Sequence, residues 1–233
     1  MKISICIACV DKHIVLLEKF MDSIIYFTRK PDEVIVSISP KFLKLDLLNE
    51  KIRLENKYNN LKCLVQETMT NAAINRNKCI EESDGDIIII HDADDVMHPQ
   101  KCEIIEKLFI EYPDTKMILH RFKIMKERNY LLNNYKKINI EKKNLYFIFK
   151  SNNNIGEYPP IYITNYDYNS IKPEQPYASG YITIKKDVFK RIKYENRNKG
   201  EDSCYITNIH NIYNKTLFID EVMAEYTPSL SYK

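Results

Sequence analysis

Short apolar runs alternate with amphipathic segments along the first half of the chain. The fourth run contains four consecutive isoleucines, at residues 87–90, which is typical of a central parallel strand buried on both faces. The segments between the runs carry apolar residues at helical spacing. Repeated strand–helix units predict an α/β fold with a mostly parallel central sheet flanked by helices. Strands are predicted at 2–8, 33–38, 61–65 and 86–91, and helices at 12–27, part of 41–58, 70–82 (capped by Thr70 or Asn71) and 99–112.

The pattern changes after about residue 115. Residues 150–178 are rich in Asn, Tyr and Pro and have no periodicity. A loop of this length is usually functional or disordered, and its tyrosines favour a binding loop. No repeat or linker is present, so we expect one domain over residues 1–233. In this second half, strands are predicted at 116–124, 145–149, 179–184, 216–219 and 222–226, and helices at 186–192 and 202–213.

Composition and charge exclude several classes of protein. The 44% of hydrophobic residues are enough for a core, whereas 35 Lys+Arg against 32 Asp+Glu leave a charge of +3, too balanced for a nucleic-acid partner. With only four glycines, the chain has neither a Walker loop nor a dinucleotide fingerprint, so any phosphate is held by another device. No apolar run approaches the roughly 18 residues of a membrane span, and no convincing signal peptide is present. We expect a cytoplasmic protein without an integral membrane segment.

The six cysteines include a C-x-x-C spacing at Cys6 and Cys9. This spacing can indicate a redox or zinc site. Inside a predicted strand, however, residues three apart point to opposite faces, and no second pair completes a zinc site. We therefore expect reduced, structural cysteines.

Three carboxylates, Asp92, Asp94 and Asp95, follow the isoleucine strand directly. In open α/β sheets, ligands gather beyond the carboxyl ends of the strands. Closely spaced carboxylates repel one another unless a cation lies between them, and hard oxygen ligands select Mg²⁺ or Mn²⁺, which could bridge to a diphosphate. The alternative is structural: Asp94 or Asp95 caps the helix that begins near Pro99.

Residues 71–77 and 85–95 resemble family 2 glycosyltransferases of the GT-A (Rossmann-like) fold. The shared features are an Ala-Arg-Asn helix, an apolar strand that begins with Gly-Asp, and an Asp-x-Asp-Asp motif. The resemblance implies that Asp92 contacts the nucleotide and supports the metal, that Asp94 binds Mn²⁺ or Mg²⁺, and that Arg76 contacts the donor. It also implies a nucleotide-sugar-binding half at about 1–115 and a smaller acceptor-binding region at about 116–233.

Two later segments extend the resemblance. Residues 178–189 are similar to the strand and helix before the family's acceptor site, which implies a role for Gly180 in acceptor binding. Gly200-Glu201-Asp202 resembles the Gly-Glu-Asp-Trp motif, which implies Asp202 as catalytic base and Glu201 as an acceptor contact. Without the resemblance, we would prefer the structural interpretation of this acidic triplet as a helix N-terminus. Some related enzymes bind the metal with a late histidine, so His210 is a candidate third ligand, although packing explains it as well.

The chain departs from the family pattern at three places. The second strand ends in Ser39 where the family usually has an Asp that recognises the base, and Asn75 stands where Ala is usual. The first strand ends in Ala8-Cys9-Val10-Asp11, without the common Pro-x-Tyr/Asn. Ala8, Asp11 and Ser39 are the candidate donor contacts here, and Asp11 is alternatively a cap of the helix that follows, the interpretation we favour.

The resemblance implies metal-dependent, inverting transfer of a sugar from a nucleoside diphosphate, with UDP favoured, to a glycan, protein or lipid acceptor. One alternative is a haloacid-dehalogenase-like phosphatase with Asp92 as nucleophile, although that motif normally follows the first strand. The other is a catalytically silent GT-A domain that binds a nucleotide sugar or glycan.

Overall fold

The computed structural model describes residues 1–42, 45–125, 137–141, 146–149 and 181–226. The predicted binding loop at 150–178 and the candidate acceptor residue Gly180 lie outside these ranges. The secondary structure of the described residues agrees with the alternating pattern of the first half, and it differs from the prediction mainly near the C-terminus.

Four parallel strands form the first part of the sheet. Their bounds are Ile3–Val10 (β1), Glu33–Ser39 (β2), Leu61–Val65 (β3) and Ile87–Asp92 (β4), and they lie in the order β3-β2-β1-β4. Because all four run in the same direction, their carboxyl ends share one edge of the sheet. On this edge Ala8 lies opposite Asp92 on one side and opposite Ser37 on the other. The predicted parallel core of an α/β fold is confirmed.

The helices of the first half are Ile14–Ser23 (α1), Leu47–Lys57 (α2), Ala72–Glu81 (α3) and Lys101–Glu111 (α4). As predicted, Asn71 caps α3, because its side-chain oxygen accepts the backbone N–H of Ile74 at 3.0 Å. Helix α4 follows Gln100, which makes no side-chain cap. The alternative that Asp94 or Asp95 caps this helix is therefore wrong.

The second part of the sheet is mixed. Its strands are Val96–Met97 (β5), Met117–Ile124 (β6), Tyr146–Phe149 (β7), Thr183–Lys185 (β8) and Thr216–Tyr226 (β9). They continue from β4 in the order β8-β6-β9-β5, with β7 paired to β9. Strand β8 is antiparallel to both β4 and β6, whereas β9 runs parallel to β6. The second half also contains the α-helices Lys186–Phe189 (α5) and Glu201–Tyr213 (α6).

The two strands predicted at 216–219 and 222–226 are one continuous strand, β9. The polar pair Asp220-Glu221 interrupts the apolar pattern and suggested a turn. In the structure, His120 lies opposite Ile219 and Arg121 opposite Val222, so the register shifts where this pair is inserted. A bulge of this kind keeps the strand paired while it takes up extra residues.

Apolar side chains cover both faces of the sheet. One cluster joins β1, β2 and β4 to α1 and α4, and the other joins the opposite face to α3, α5 and α6. Cys9 belongs to the first cluster and Cys6 to the second, which confirms that their side chains point to opposite faces. All six thiols are free, and burial raises the pKa of Cys6 and of Cys9 well above the usual value. None of the described helices has the length and apolar character needed to span a bilayer.

Gly85 precedes β4 at a place where the backbone is crowded. A Cβ atom at this position would lie 2.2 Å from Ser4 Oγ and 2.7 Å from the Ser4 backbone nitrogen. The Gly85 N–H donates to the same Ser4 hydroxyl at 2.9 Å. Since part of the obstruction is backbone, only glycine fits here without displacing β1.

Candidate active site

A buried guanidinium joins the end of β4 to the start of α6. Arg76, on α3, is only 3% exposed. Its Nη2 donates to Asp92 Oδ1 at 2.8 Å, and its Nη1 donates to Asp202 Oδ1 at 2.5 Å and to Glu201 Oε1 at 3.1 Å. We call these four residues the Arg76 cluster. All four are predicted site residues, and two come from each half of the chain.

Acidic groups outnumber basic groups within the Arg76 cluster, because three carboxyl groups share one guanidinium. Burial raises the pKa of Asp202 well above its ordinary value; Arg76 opposes this shift, and the neighbouring Glu201 and Asp92 reinforce it. Arg76 itself has its pKa raised, because Asp202 and Asp92 outweigh the effect of its burial. The cluster can therefore accept a proton or a further cation at low electrostatic cost.

An aromatic ring also contacts the guanidinium of Arg76. Its guanidinium carbon lies 5.6 Å from the centroid of the Tyr194 ring, which in turn stacks on Tyr205 with centroids 3.8 Å apart. Asn77, the next residue on α3, holds the backbone of Tyr194 at both polar atoms. Its Oδ1 accepts the Tyr194 N–H at 2.9 Å, and its Nδ2 donates to the Tyr194 carbonyl at 2.8 Å.

Helix α6 begins immediately after Gly200, which has a φ of +69°. Nothing lies within 4 Å of a Cβ placed there, so the left-handed backbone, rather than lack of space, favours glycine. This turn places Glu201 and Asp202 in the first turn of the helix, where the helix dipole favours negative charge. The structural interpretation of this acidic triplet therefore holds together with its placement in the Arg76 cluster.

The acidic loop after β4 is packed against buried polar groups. Asp95 is 2% exposed, and its Oδ2 accepts a hydrogen bond from the Tyr181 hydroxyl at 2.8 Å. Asp94 is also buried. The amine of Lys101 is fully buried and has no hydrogen-bond partner within the described ranges, and burial lowers its pKa to about 7, although Cys102, Asp95 and Asp92 oppose this shift.

The chemistry of Asp92 and Asp94 fits a hard divalent cation. Mg²⁺ and similar ions are usually held by one or two carboxylates together with substrate phosphates and water, rather than by an all-protein cage. The described part of the chain contains no group of three or more His, Cys, Asp or Glu side chains arranged to hold a metal ion. The protein would supply carboxylate oxygens, and the diphosphate would complete the coordination.

The structure does not bring His210 to these carboxylates. The residue lies eight positions after Asp202 on α6, about 12 Å along the helix axis. Its ring is buried, and Nδ1 is 2.7 Å from the hydroxyl of Thr216 at the start of β9. This placement matches the packing alternative for His210 and not its predicted role as a third metal ligand.

A second polar network lies beside the Arg76 cluster, and it contains no acidic group. Asn75 Oδ1 accepts from the hydroxyls of Ser37 and Thr70, both at 2.8 Å, and Asn75 Nδ2 donates to Ser39 Oγ at 2.7 Å. Gln66 donates to the Ser37 hydroxyl at 2.8 Å. We call these five residues the Asn75 network. Ser39 is fully buried, and its hydroxyl also meets that of Thr70 at 2.6 Å, which argues against its predicted contact with the donor.

Asp11 ties the loop after β2 to the end of β1. Its carboxylate accepts the backbone N–H groups of Lys41 at 2.9 Å and of Phe42 at 2.9 and 3.0 Å. It also accepts the N–H of the next residue, Lys12, at 2.8 Å. It lies in a 3₁₀ turn before α1 and is 1% exposed. Asp11 therefore accepts backbone N–H groups from two segments, its own turn and the loop after β2, whereas a helix cap would bind only the start of the helix. No observation supports its predicted contact with the donor.

The sequence matches a known family over most of its length. A family model described as Glycosyl transferase family 2 matches residues 4–193. The chain belongs to glycosyl transferase family 2. No curated protein matches the sequence.

Solved structures share the fold of this family member. TarS 1–349 of S. aureus in complex with UDP gives a TM-score of 0.62 at 14% identity, covering 97% of this chain and 60% of that one. TarS 1–349 in complex with UDP-GlcNAc gives a TM-score of 0.62 at 16% identity, and the match covers 97% of this chain and 58% of that one. S. aureus TarS itself gives a TM-score of 0.61 at 17% identity, and the match covers 98% of this chain and 37% of that one. The chain thus spans less than two thirds of each of these proteins. The predicted GT-A fold is confirmed.

Family membership decides against the phosphatase alternative, in which Asp92 would be a nucleophile. The position of Asp92 agrees, because it ends the fourth strand of the chain rather than the first. The supporting residues Tyr194 and Asn77 are not among the residues predicted from the sequence. Asn77 lies within the Asn-Arg-Asn stretch and could have been noticed, whereas Tyr194 carries no sequence signal.

Proposed function

We propose that this chain transfers a sugar, with inversion, from a nucleoside-diphosphate donor to an acceptor hydroxyl on a glycan, protein or lipid. The observation that supports this proposal best is the Arg76 cluster. It joins Asp92, at the edge of the sheet where α/β proteins bind ligands, to the buried carboxyl group of Asp202. Sugar transfer requires a donor site and a base close to the same reacting atoms, and the Arg76 cluster brings together the residues proposed for both.

A UDP-sugar is the favoured donor. The related fold of TarS 1–349 binds UDP and UDP-GlcNAc, and this likeness supports the same class of ligand here. Asp92 and Asp94 would hold Mn²⁺ or Mg²⁺, and the bound ion would neutralise charge on the departing diphosphate. Ala8, which lies opposite Asp92 in the sheet, leaves room beside it for the nucleotide because its side chain is small.

Asp202 would act as the general base. The acceptor oxygen attacks the anomeric carbon, the bond from that carbon to the diphosphate oxygen breaks, and the acceptor proton passes to the Asp202 carboxylate. Burial raises the pKa of Asp202, which makes its carboxylate a stronger base than that of an exposed aspartate. Glu201, beside it on the first turn of α6, would orient the acceptor hydroxyl.

A thermal-shift screen tests the proposal. UDP, UDP-GlcNAc, GDP and CDP are compared with and without MnCl₂, and we expect the uridine nucleotides with Mn²⁺ to raise the melting temperature of the wild type. Asp94→Ala should abolish the increment due to Mn²⁺. Asp84→Ala is the matched control, since this aspartate is exposed at the opposite edge of the sheet.

The absence of any nucleotide-dependent shift in the wild type would contradict the proposal. A shift without turnover of the bound UDP-sugar would instead favour a silent GT-A domain. If Asp94→Ala kept the full Mn²⁺ increment, the assignment of the metal ligands would be wrong.

A further inference from the structure

We propose that Arg76 is a positioning residue that orients the base Asp202 and ties it to the donor-side carboxylate Asp92. The inference rests on the proposed function and replaces the direct donor contact predicted for Arg76. In this arrangement Tyr194 supports the guanidinium, and Asn77 supports Tyr194.

Both terminal nitrogens of Arg76 are already engaged with carboxylates. Nη1 contacts Asp202 and Glu201, while Nη2 contacts Asp92, and the side chain is almost fully buried. A guanidinium is planar and presents its donors in a fixed geometry, so its position determines the position of each partner. To bind a diphosphate directly, Arg76 would first have to leave buried charges without their partner, which is costly. Its influence on the donor is therefore indirect, through Asp92.

The ring of Tyr194 is the surface on which the guanidinium rests. The Tyr194 hydroxyl is buried and has no hydrogen-bond partner among the described residues, so the ring, and not the hydroxyl, supports the arginine. Tyr205 stacks on the same ring and restricts its position. Phenylalanine at position 194 would provide the same face, whereas leucine would not.

Helix α3 also holds the segment that leads into α6. Asn77 binds both backbone polar atoms of Tyr194, and the Asn71 side chain donates to Asn196 Oδ1 at 2.7 Å and to Asn198 Oδ1 at 3.2 Å. The residues before Asp202 are thus fastened to the same helix that carries Arg76. Helix α3 thus positions both Asp92, on the donor side, and Asp202, on the acceptor side. Loss of its contacts would therefore displace the base.

Steady-state kinetics with UDP-GlcNAc as the probe test the role in catalysis. We expect Arg76→Lys to lower kcat by about 100-fold while the KM for UDP-GlcNAc changes by less than about threefold. The single amine of a lysine cannot bind Asp92 and Asp202 in the fixed geometry of a guanidinium. Tyr194→Leu should lower kcat by about tenfold, whereas Tyr194→Phe should keep the kcat of the wild type. Arg191→Lys is the matched control, since Arg191 rests on Tyr213 in a similar way, outside the cluster.

A large increase in KM, or in the Kd of UDP, with unchanged kcat in Arg76→Lys would overturn the proposal and identify Arg76 as a donor ligand. Equal losses of kcat in Tyr194→Phe and Tyr194→Leu would exclude the supporting role of the ring.

Hydrogen exchange on the ligand-free protein tests the linkage without any substrate. We expect Arg76→Lys and Tyr194→Leu to accelerate exchange in residues 194–204 and to leave β1 unchanged. Unchanged exchange in 194–204 would overturn the proposal whatever the donor is. If the expected exchange occurs but the wild type turns over no nucleotide sugar, the proposed function fails while the linkage stands.

Discussion

Two adjacent residues of α3 serve two different polar networks. Asn75 gathers hydroxyl and amide groups at the end of β2, whereas Arg76 gathers carboxyl groups from β4 and α6. The five residues of the Asn75 network are uncharged, and the network meets a charged side chain only where Gln66 accepts from the Lys78 amine. The Arg76 cluster has three acidic groups around one basic group and connects the two halves of the chain.

We attribute this difference to a structural role of the Asn75 network and to the role in catalysis that we propose for the Arg76 cluster. A buried network favours the folded state when each of its donors and acceptors has a partner, because a buried polar group without a partner costs free energy. Buried carboxyl groups that outnumber their counter-ion oppose folding and are retained where chemistry needs them. We therefore expect substitutions in the two networks to affect activity and stability in opposite ways.

The largest expected effect is on catalysis. Asp202→Asn should reduce sugar transfer by about 10²–10⁴-fold, the usual contribution of a general base. Asn75→Ala should leave kcat within about threefold of the wild type, because the network does not reach the reacting groups. Initial rates of transfer to the acceptor, measured with a saturating UDP-sugar, check both expectations. Full activity in Asp202→Asn would contradict its role as base.

The second effect concerns the Asn75 network. Asn75→Ala removes one hydrogen bond from each of three hydroxyls, those of Ser37, Ser39 and Thr70, and we expect it to lower the free energy of unfolding by about 2 kcal/mol. Urea denaturation measures the change. In a double-mutant cycle, Ser39→Ala should cost less in the Asn75→Ala background than in the wild type. Strict additivity of the two substitutions would show that the hydrogen bond between them does not stabilise the fold.

The smallest effect has the opposite sign. We expect Asp202→Asn to raise the free energy of unfolding by about 1 kcal/mol near pH 8, because it removes one of the excess buried charges. Between the ordinary carboxyl pKa near 4 and the raised pKa of Asp202, the folded chain keeps a proton that the unfolded chain has lost. Wild-type stability therefore falls as pH rises through this window, and the advantage of Asp202→Asn should shrink toward pH 5.

Denaturation curves of Asp202→Asn and Asn75→Ala at several pH values provide the comparison. The difference between Asn75→Ala and the wild type should not depend on pH, because its network contains no ionisable group. If Asp202→Asn were the less stable protein at pH 8, the pairing of Asp202 with Arg76 would outweigh its cost of burial.

Local patterns predicted the elements that place the site. The isoleucine run identified β4 as a central strand, and the acidic residues after it lie at the carboxyl edge, as expected. The same reasoning failed at β9, because Asp220-Glu221 is polar in sequence but is absorbed by a bulge. Whether a polar pair turns the chain or bulges depends on the neighbouring strand, which periodicity does not include.

Long-range partners could not be predicted. Ser39 and Asn75 each departed from the family pattern, yet nothing in the sequence indicated that they hydrogen-bond to each other. Likewise, Arg76 and Asp202 are 126 positions apart, and the resemblance assigned each a separate role. Their contact depends on how α6 packs against α3, which is decided by the whole core.

A structure determined with UDP and MnCl₂ would show directly whether Arg76 links the donor side to the base. We expect the metal on Asp94, the diphosphate beside Asp92, and Arg76 still between Asp92 and Asp202. If Arg76 had left Asp202 to bind the diphosphate, the positioning role would be contradicted. If the nucleotide lay away from the Arg76 cluster, the proposed active site itself would be wrong.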